Sequence, residues 1–222
     1  MKPRLIALDG PVAVGKSSVG ALLARKLGYI FFDTGMTYRA FTSKVLKSGI
    51  SPKDENELYH LASTTKFDFV PSHGGKLSII VDGDDVSHEL LRPEVEEQVA
   101  AISKIAGVRQ TMVSQQRKFA QRGKVIMAGR DIGTVVLPEA ELKIFLVASA
   151  EERANRRYKE LLNHGRKVDY DVIFAELKRR DEVDTHRLIS PLRPAADAII
   201  INTEKLSLKQ VVDKIYDLAV AR

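Results

Sequence analysis

The chain contains no cysteine and no tryptophan, and no long apolar run. Without cysteine it can form neither a disulfide framework nor a thiolate metal site, so a reducing cytoplasm is an allowed location. No stretch approaches the ~20 apolar residues of a membrane-spanning helix. Asp9 interrupts the first apolar run too early for a signal peptide. We therefore expect a cytoplasmic protein with no membrane partner.

Aromatic residues are scarce, at 6% of the chain, while the formal net charge is +6. A basic protein can bind either nucleic acid or a polyanionic small molecule. A long basic run with interleaved aromatic residues would favour nucleic acid, and the sequence has none. Because the arginines lie in separate clusters, we expect a nucleotide pocket and no nucleic-acid partner.

The stretch ALDGPVAVGKSS fits the phosphate-binding loop pattern G-x-x-x-x-G-K-[ST]. Glycine is needed where the backbone turns tightly and approaches an anion, and a helix N-terminus adds partial positive charge. Lys16 would reach the β- and γ-phosphates, and the Ser17 hydroxyl would bind Mg²⁺. The alternative is an ordinary turn between a strand and a helix. The predicted nucleotide-binding residues are Gly10, Pro11, Val12, Ala13, Val14, Gly15, Lys16, Ser17 and Ser18.

Continuous β-rich runs alternate with helical patterns, which is typical of βαβ units and a parallel sheet. The predicted core strands are Leu5–Leu8, Tyr29–Phe32, Val125–Ala128, Leu142–Val147 and Ala198–Ile201. The predicted helices are Lys16–Leu27, Asp54–Ser63, Pro93–Ala106, one from Ser149 to Gly165 and one from Ser207 to near Ala221. Capping boxes are predicted at the start of the last two, pairing Ser149 with Glu152 and Ser207 with Gln210.

One segment, residues 66–91, departs from this alternation. It contains strand runs, the stretch His73-Gly74-Gly75 and a second turn at Asp82-Gly83, which are signals of β-hairpins. We interpret it as a small antiparallel sheet inserted into an α/β core. Because α/β folds bind ligands at the carboxyl ends of their strands, it is predicted as a substrate-binding lobe rather than a decorative hairpin.

Charged side chains cluster where the predicted strands end and on two later helices. Taken singly, such clusters are typical of solvated salt bridges. Transfer of a phosphoryl group between two anions, however, requires several guanidinium groups, because its catalysis is mostly positioning and charge stabilisation. The clusters are Asp33, Thr34, Tyr38 and Arg39 after the second strand; Arg130 and Asp131 after the third; Arg109 at the start of a helix; Arg153, Arg156 and Arg157; and Arg180, Asp184 and Arg187, which share one helical face if the helix runs that far.

In these motifs the chain resembles the bacterial cytidylate kinases, within the nucleoside monophosphate kinases. The resemblance runs to LSLKQVVDKI and is carried by LDGPVAVGKSS, DTGMTYRA, the inserted hairpin segment, AGRDIGTVV, KIFLVASAEERANRR and RRDEVDTHRLISPLRPAADAI. It implies a P-loop NTPase-type α/β fold, with a parallel five-stranded sheet flanked by helices, an inserted antiparallel NMP-binding lobe and a helical lid. The implied ranges are 1–33 and 97–222 for the core, 34–96 for the lobe and 150–170 for the lid.

The resemblance also implies an activity, namely transfer of the γ-phosphoryl group of ATP, with Mg²⁺, to CMP or dCMP by a monomeric enzyme. Thr34, Arg39 and Arg130 would bind the CMP phosphate, Arg109 and Asp131 cytosine, and Asp184 and Arg187 the ribose, with Asp33 and Tyr38 in the same substrate-binding set. Lys16, Arg153, Arg157 and Arg180 would act on the transferring phosphoryl group.

Two positions depart from the family pattern. Thr34 stands for the usual serine and keeps its hydroxyl, whereas Ala100 stands where many members have a serine that touches cytosine. Two other functions remain open: phosphorylation of another acceptor such as UMP or a small metabolite, and a regulatory NTP-binding protein whose basic surface holds RNA. The separate acceptor clusters argue against the second, since RNA binding needs no second buried arginine set.

Overall fold

The computed structural model describes residues 2–71, 77–163 and 165–221. The chain divides into two compact units, the first formed by Met1–Ile30 and Lys124–Arg222 and the second by Phe31–Gly123. The strands are β1 (Leu5–Asp9), β2 (Ile30–Asp33), β3 (Phe67–Pro71), β4 (Leu77–Val81), β5 (Asp84–Asp85), β6 (Val125–Gly129), β7 (Leu142–Val147) and β8 (Ile199–Asn202). The helices are α1 (Lys16–Leu27), α2 (Gly35–Ser48), α3 (Glu55–Thr64), α4 (Pro93–Ile102), α5 (Ala106–Ala120), α6 (Ala150–Asn163), α7 (Tyr170–His186) and α8 (Leu208–Val220).

The larger sheet has five strands in the order β2-β6-β1-β7-β8. β1 pairs in parallel with β6 and with β7, and β7 pairs in parallel with β8. β1, β6 and β7 are buried along nearly their whole length, as their continuous apolar runs predict. The predicted α/β fold is confirmed, and each of the five core strands lies within one residue of its predicted bounds.

The second unit contains a smaller antiparallel sheet, β3-β4-β5. The predicted turn at Asp82-Gly83 is confirmed: both residues have positive φ (52° and 100°), as tight hairpin turns require. The predicted turn at His73-Gly74-Gly75 lies outside the described residues. Phe69 of β3 packs against Phe32 of β2 and Phe119 of α5, with ring centroids 4.7 and 5.3 Å away, so aromatic contacts join this sheet to other elements of its own unit.

Helix ends follow the capping residues where the caps are local. α1 has its predicted bounds, and Gly28 (φ 72°) donates its N–H to the Ala24 carbonyl. α8 begins with the complete capping box of Ser207 and Gln210. In the part of the chain that the structure describes, no helix is both long and apolar enough to cross a membrane.

Two helix predictions are partly wrong. The helix predicted at Pro93–Ala106 ends at Ile102, and a separate helix, α5, begins at Ala106. At the start of α6, only half of the predicted capping box forms. Glu152 donates its N–H to the Ser149 hydroxyl at 3.3 Å, but the Ser149 N–H donates to Glu204 at 2.6 Å. The Glu152 side chain instead pairs with Arg156, and this ion pair explains the missing half.

Candidate active site

The phosphate loop connects β1 to α1 and fits tightly against its own unit. Gly10 has φ 150°, and a Cβ there would lie 2.5 Å from the carbonyl oxygen of Leu146 on β7, so no larger residue fits. Gly15, the residue before α1, also has a positive φ of 98°. These two positions therefore need glycine for space and for backbone conformation.

Lys16 lies folded over this loop. Its ammonium group donates to the carbonyl oxygens of Gly10 and Pro11, both at 2.7 Å, and the side chain is buried. Ser17 is exposed at the start of α1, next to the loop. A hydroxyl in this place fits Mg²⁺, a cation that proteins hold through few ligands while phosphate oxygens and water supply the rest.

Arg153 of α6 joins three parts of the first unit. Its guanidinium group forms a bidentate ion pair with Asp181 of α7, at 3.0 and 2.5 Å, and donates to the carbonyl oxygen of Val12 in the phosphate loop at 3.2 Å. The side chain is only 5% exposed. The structure therefore places one predicted catalytic arginine against the phosphate loop. Asp181 was not predicted as a site residue, although it directly follows Arg180.

Arg156 reaches the same loop from the next turn of α6. It donates to the carbonyl oxygens of Val14 at 3.4 Å and Thr203 at 2.8 Å. Arg157 and Arg180 are more exposed, and they pair with the nearby Glu160 and Glu176 on their own helices. The structure thus brings Arg153 and Arg156 to the phosphate loop, while the action of Arg157 and Arg180 on the transferring phosphoryl group stays a prediction.

The loop after β6 is tied to the end of α7 by two ion pairs. Arg130 contacts Asp184 at 2.8 Å, and Asp131 lies 3.7 Å from a guanidinium nitrogen of Arg187. The helix ends at His186, so the condition under which Arg187 would share a helical face with Asp184 is not met. Arg187 is extended (φ −64°, ψ 139°), and this conformation still brings it to Asp131.

Asp9, the last residue of β1, is a buried carboxylate that was not among the predicted site residues. It accepts the backbone N–H groups of Ile132 and Gly133 at 2.8 and 2.7 Å. Burial, the largest cause, and the nearby Asp131 together raise the pKa of Asp9 from 3.8 to about 6, against the lowering effect of the two hydrogen bonds and of Lys16. An acidic residue that ends an apolar strand just before a phosphate loop was the signal in the sequence.

The remaining predicted substrate-binding residues, Asp33, Thr34, Tyr38, Arg39 and Arg109, lie in the second unit. Thr34 is buried before α2, and its carbonyl oxygen accepts from the Thr37 hydroxyl at 2.8 Å. The Asp33 carboxylate accepts the Gly35 N–H at 3.0 Å.

The two predicted substrate-binding arginines of the second unit are held by neighbours. Arg39 pairs with Glu96 of α4 at 2.8 Å. Arg109 is buried, donates to the Ser103 carbonyl at 3.3 Å and lies 5.6 Å from the centre of the Tyr38 ring. Ala100 is exposed on α4, one turn before Ser103.

Gln116 and Glu96 were also not predicted as site residues. Gln116 is fully buried and donates to the Thr37 hydroxyl at 2.8 Å, which in turn contacts the carbonyl of Thr34. Nothing local marks either residue, because both act on α2 from about 60 to 80 positions further along the chain.

Residues 6–221 match a family model described as Cytidylate kinase. A cytidylate kinase of Carboxydothermus hydrogenoformans is 46% identical over 213 residues, which cover 96% of each chain. A cytidylate kinase of Bacillus subtilis is 44% identical over 212 residues, covering 96% of this chain and 94% of that one.

Solved structures resemble the fold at much lower identity. A gluconokinase from Sinorhizobium meliloti has a TM-score of 0.51 at 14% identity, with 100% of this chain and 96% of that chain covered. A shikimate kinase from Bacteroides thetaiotaomicron has a TM-score of 0.50 at 13% identity, with coverage of 97% and 98%. At identities this low, the similarity shows the fold alone.

Proposed function

This chain belongs to the cytidylate kinase family, and we propose that it is an ATP-dependent enzyme that transfers the γ-phosphoryl group of ATP to CMP, giving ADP and CDP. The observation that carries this proposal is the buried Arg153, whose guanidinium group contacts both the phosphate loop and Asp181. A phosphoryl group in transfer spreads negative charge over its oxygens, and a fixed guanidinium group stabilises that charge.

On the ATP side, the backbone of residues 10–18 and the N-terminus of α1 would bind the phosphates. Lys16 would exchange its contacts with the Gly10 and Pro11 carbonyls for β- and γ-phosphate oxygens, which are stronger acceptors for an ammonium group. Ser17 would hold Mg²⁺, which neutralises phosphate charge when it is bound. Arg153, Arg157 and Arg180 would surround the transferring group.

On the acceptor side, Thr34, Arg39 and Arg130 would bind the CMP phosphate. Arg39 and Arg130 are already ion-paired, with Glu96 and Asp184, and such pairs support the role by restricting the guanidinium groups before substrate binds. Arg109 and Asp131 would recognise cytosine, Asp184 and Arg187 the ribose, and Asp33 and Tyr38 complete the set. We include dCMP as an acceptor.

We assign residues 34–96 to an NMP-binding lobe and residues 150–170 to a lid that closes over the nucleotides. A small apolar cluster supports the lid: Ala154, Ile173 and Leu177 pack with Val12 and Ala13 of the phosphate loop. Most of the apolar residues packed around these three are only partly buried, as expected of a segment that opens more readily than the core. We further propose a monomeric, cytoplasmic enzyme without a nucleic-acid partner.

The deciding experiment measures ADP formation from ATP with CMP, dCMP, UMP, AMP or no acceptor, each with Mg²⁺ and with excess EDTA. We expect turnover with CMP and dCMP, little with UMP, and none without acceptor or with EDTA. Equal rates with UMP would instead favour a broader pyrimidine kinase, and ADP formation without any acceptor would favour a regulatory NTPase.

A further inference from the structure

The carboxylate of Asp9 connects two loops that the proposed function assigns to different substrates. Asp9 precedes Gly10, the first residue of the phosphate loop. Its two oxygens accept the N–H groups of Ile132 and Gly133, which directly follow Arg130 and Asp131. A single buried side chain thus joins the end of β1 to the backbone of the loop after β6.

The backbone held by Asp9 is the start of a π-helical turn, Ile132–Val136. The first N–H groups of a helical turn have no partner inside the turn and need an acceptor from elsewhere. Asp131 occupies the N-cap position but makes no side-chain cap. Asp9, at the end of β1, therefore caps this turn in place of Asp131. The Asp131 carboxylate instead lies near Arg187.

The contact is close and well enclosed. Gly133 lies against both Asp9 and Lys143: a Cβ there would lie 3.4 Å from an Asp9 oxygen and 3.2 Å from the Lys143 side chain. The charged groups that act on Asp9 are Asp131, from the held loop, and Lys16, from the phosphate loop. Lys143 of β7 packs nearby, but its ammonium group pairs with Asp197. The β6 residues carry no titratable side chain.

We infer that Asp9 is a positioning residue for acceptor recognition: its carboxylate fixes the backbone after Asp131 and thereby holds Arg130 and Asp131 in place beside the phosphate loop. The inference rests on the proposed function, in which those two residues bind CMP. Two charge-assisted hydrogen bonds to buried N–H groups are strong enough for this task.

The role depends on the ionised carboxylate. Protonation replaces one acceptor oxygen with an O–H donor, so one of the two N–H groups loses its acceptor. Because the pKa of Asp9 is about 6, this change falls between pH 5 and 7. Acceptor binding, but not ATP binding, should weaken over that range in the wild-type enzyme.

The test compares wild type with Asp9→Asn and with the matched control Glu141→Gln. Glu141 is exposed and accepts the N–H of Leu5 at 2.9 Å, at the opposite end of β1. Its amide variant therefore also replaces a carboxylate that accepts a backbone N–H, but it does so away from the site. At pH 8 we expect Asp9→Asn to raise the KM for CMP about tenfold, the size of one lost charge-assisted hydrogen bond. The KM for ATP should stay within about twofold, and the CMP-over-UMP preference should narrow about fivefold. Glu141→Gln should match wild type throughout.

A pH series from 5.5 to 8 completes the test. The phosphate of CMP titrates in the same range, with a second pKa of about 6, but it does so equally for every variant. The ratio of KM for CMP between Asp9→Asn and wild type therefore isolates Asp9, and we expect it to approach 1 as the pH falls below 6. A pH-independent ratio would contradict the inference.

Two results at pH 8 would overturn it. One is an Asp9→Asn enzyme with the wild-type KM for CMP and the wild-type preference over UMP. The other is an equal rise in KM for CMP, UMP and ATP with a lowered Tm, which a purely structural role predicts. Amide exchange at Ile132 and Gly133 separates these failures from failure of the proposed function. If exchange is faster in Asp9→Asn, the Asp9 contact holds the loop, whatever the reaction. If the wild-type protein also fails to phosphorylate CMP, the assigned reaction is wrong.

Discussion

Replacing Asp9 with asparagine should change how the stability of the protein depends on pH. The pKa of Asp9 is about 6 in the folded protein, against 3.8 for an unperturbed carboxyl group. The folded state therefore binds the proton more tightly than the unfolded state, and stability from this group is fully present below pH 3.8 and lost as the pH rises through 6. At neutral pH the buried charge of Asp9 destabilises the fold.

The size of the effect follows from the two pKa values. At roughly 1.4 kcal/mol per pKa unit, the whole titration is worth about 3 kcal/mol, and the part between pH 4.5 and 8 about 2 kcal/mol. Asparagine has the same shape and does not titrate. The free energy of unfolding of wild type minus that of Asp9→Asn should therefore fall by about 2 kcal/mol from pH 4.5 to pH 8, with most of the fall below pH 6.5.

Urea unfolding followed by circular dichroism, at fixed ionic strength and half-unit pH steps, measures this difference. Glu141→Gln serves as the control, because it makes the same carboxylate-to-amide change at an exposed position that accepts an N–H of β1. A flat difference for Asp9→Asn would mean that Asp9 titrates normally. A difference that grows with pH would mean that its hydrogen bonds outweigh its burial, and either result would refute the reasoning.

Four further experiments test the candidate site. Lys16→Ala should leave the circular dichroism spectrum intact and lower kcat by several orders of magnitude; a variant that keeps more than about a tenth of the activity would refute the phosphate-loop role. Ala100→Ser should lower the KM for CMP by the equivalent of about 0.5–1.5 kcal/mol. A raised KM would mean that this stretch packs differently from the family, with Ser103 or a water molecule contacting the base instead. Amide exchange across residues 150–170 should slow when a bisubstrate analogue binds, and unchanged exchange would remove the lid from the mechanism. Asp131→Ala should lower kcat/KM for CMP by about 2–4 kcal/mol and for UMP much less; an equal loss for both would leave Asp131 only a structural role.

The core of the fold could be predicted because its signals are local. A parallel strand covered on both faces must be apolar throughout, and Val125–Gly129 and Leu142–Val147 are therefore visible as short apolar runs. The phosphate loop and α1 are equally local, since Gly28 ends the helix by its own conformation. Such features need no knowledge of what packs against them.

The break between α4 and α5 shows where local signals fail. Residues 103–105 contain neither proline nor glycine, so the sequence favours a helix that continues through them to Ala106, ahead of the helix that Arg109 opens. The structure explains the break through packing. A Cβ at Gly107 would lie 2.7 Å from the Tyr59 ring, which shows how closely α5 approaches α3. Arg109 then donates to the Ser103 carbonyl at the end of α4. Contacts between distant helices outweigh helix propensity here.

The partners that orient the candidate site residues could not be predicted for a related physical reason. Arg153 was visible in the sequence, but its partner Asp181 lies 28 positions away on another helix. Asp9, likewise, meets N–H groups more than 120 positions away. The buried charges of Arg153 and Asp9 cost desolvation energy that apolar side chains would avoid, so neither is explained by stability alone. Charges that are buried and already oriented need little reorganisation when a phosphoryl group passes between them, and this is the property that phosphoryl transfer requires. The cost in stability that we predict for Asp9 is therefore the expected counterpart of its role in positioning.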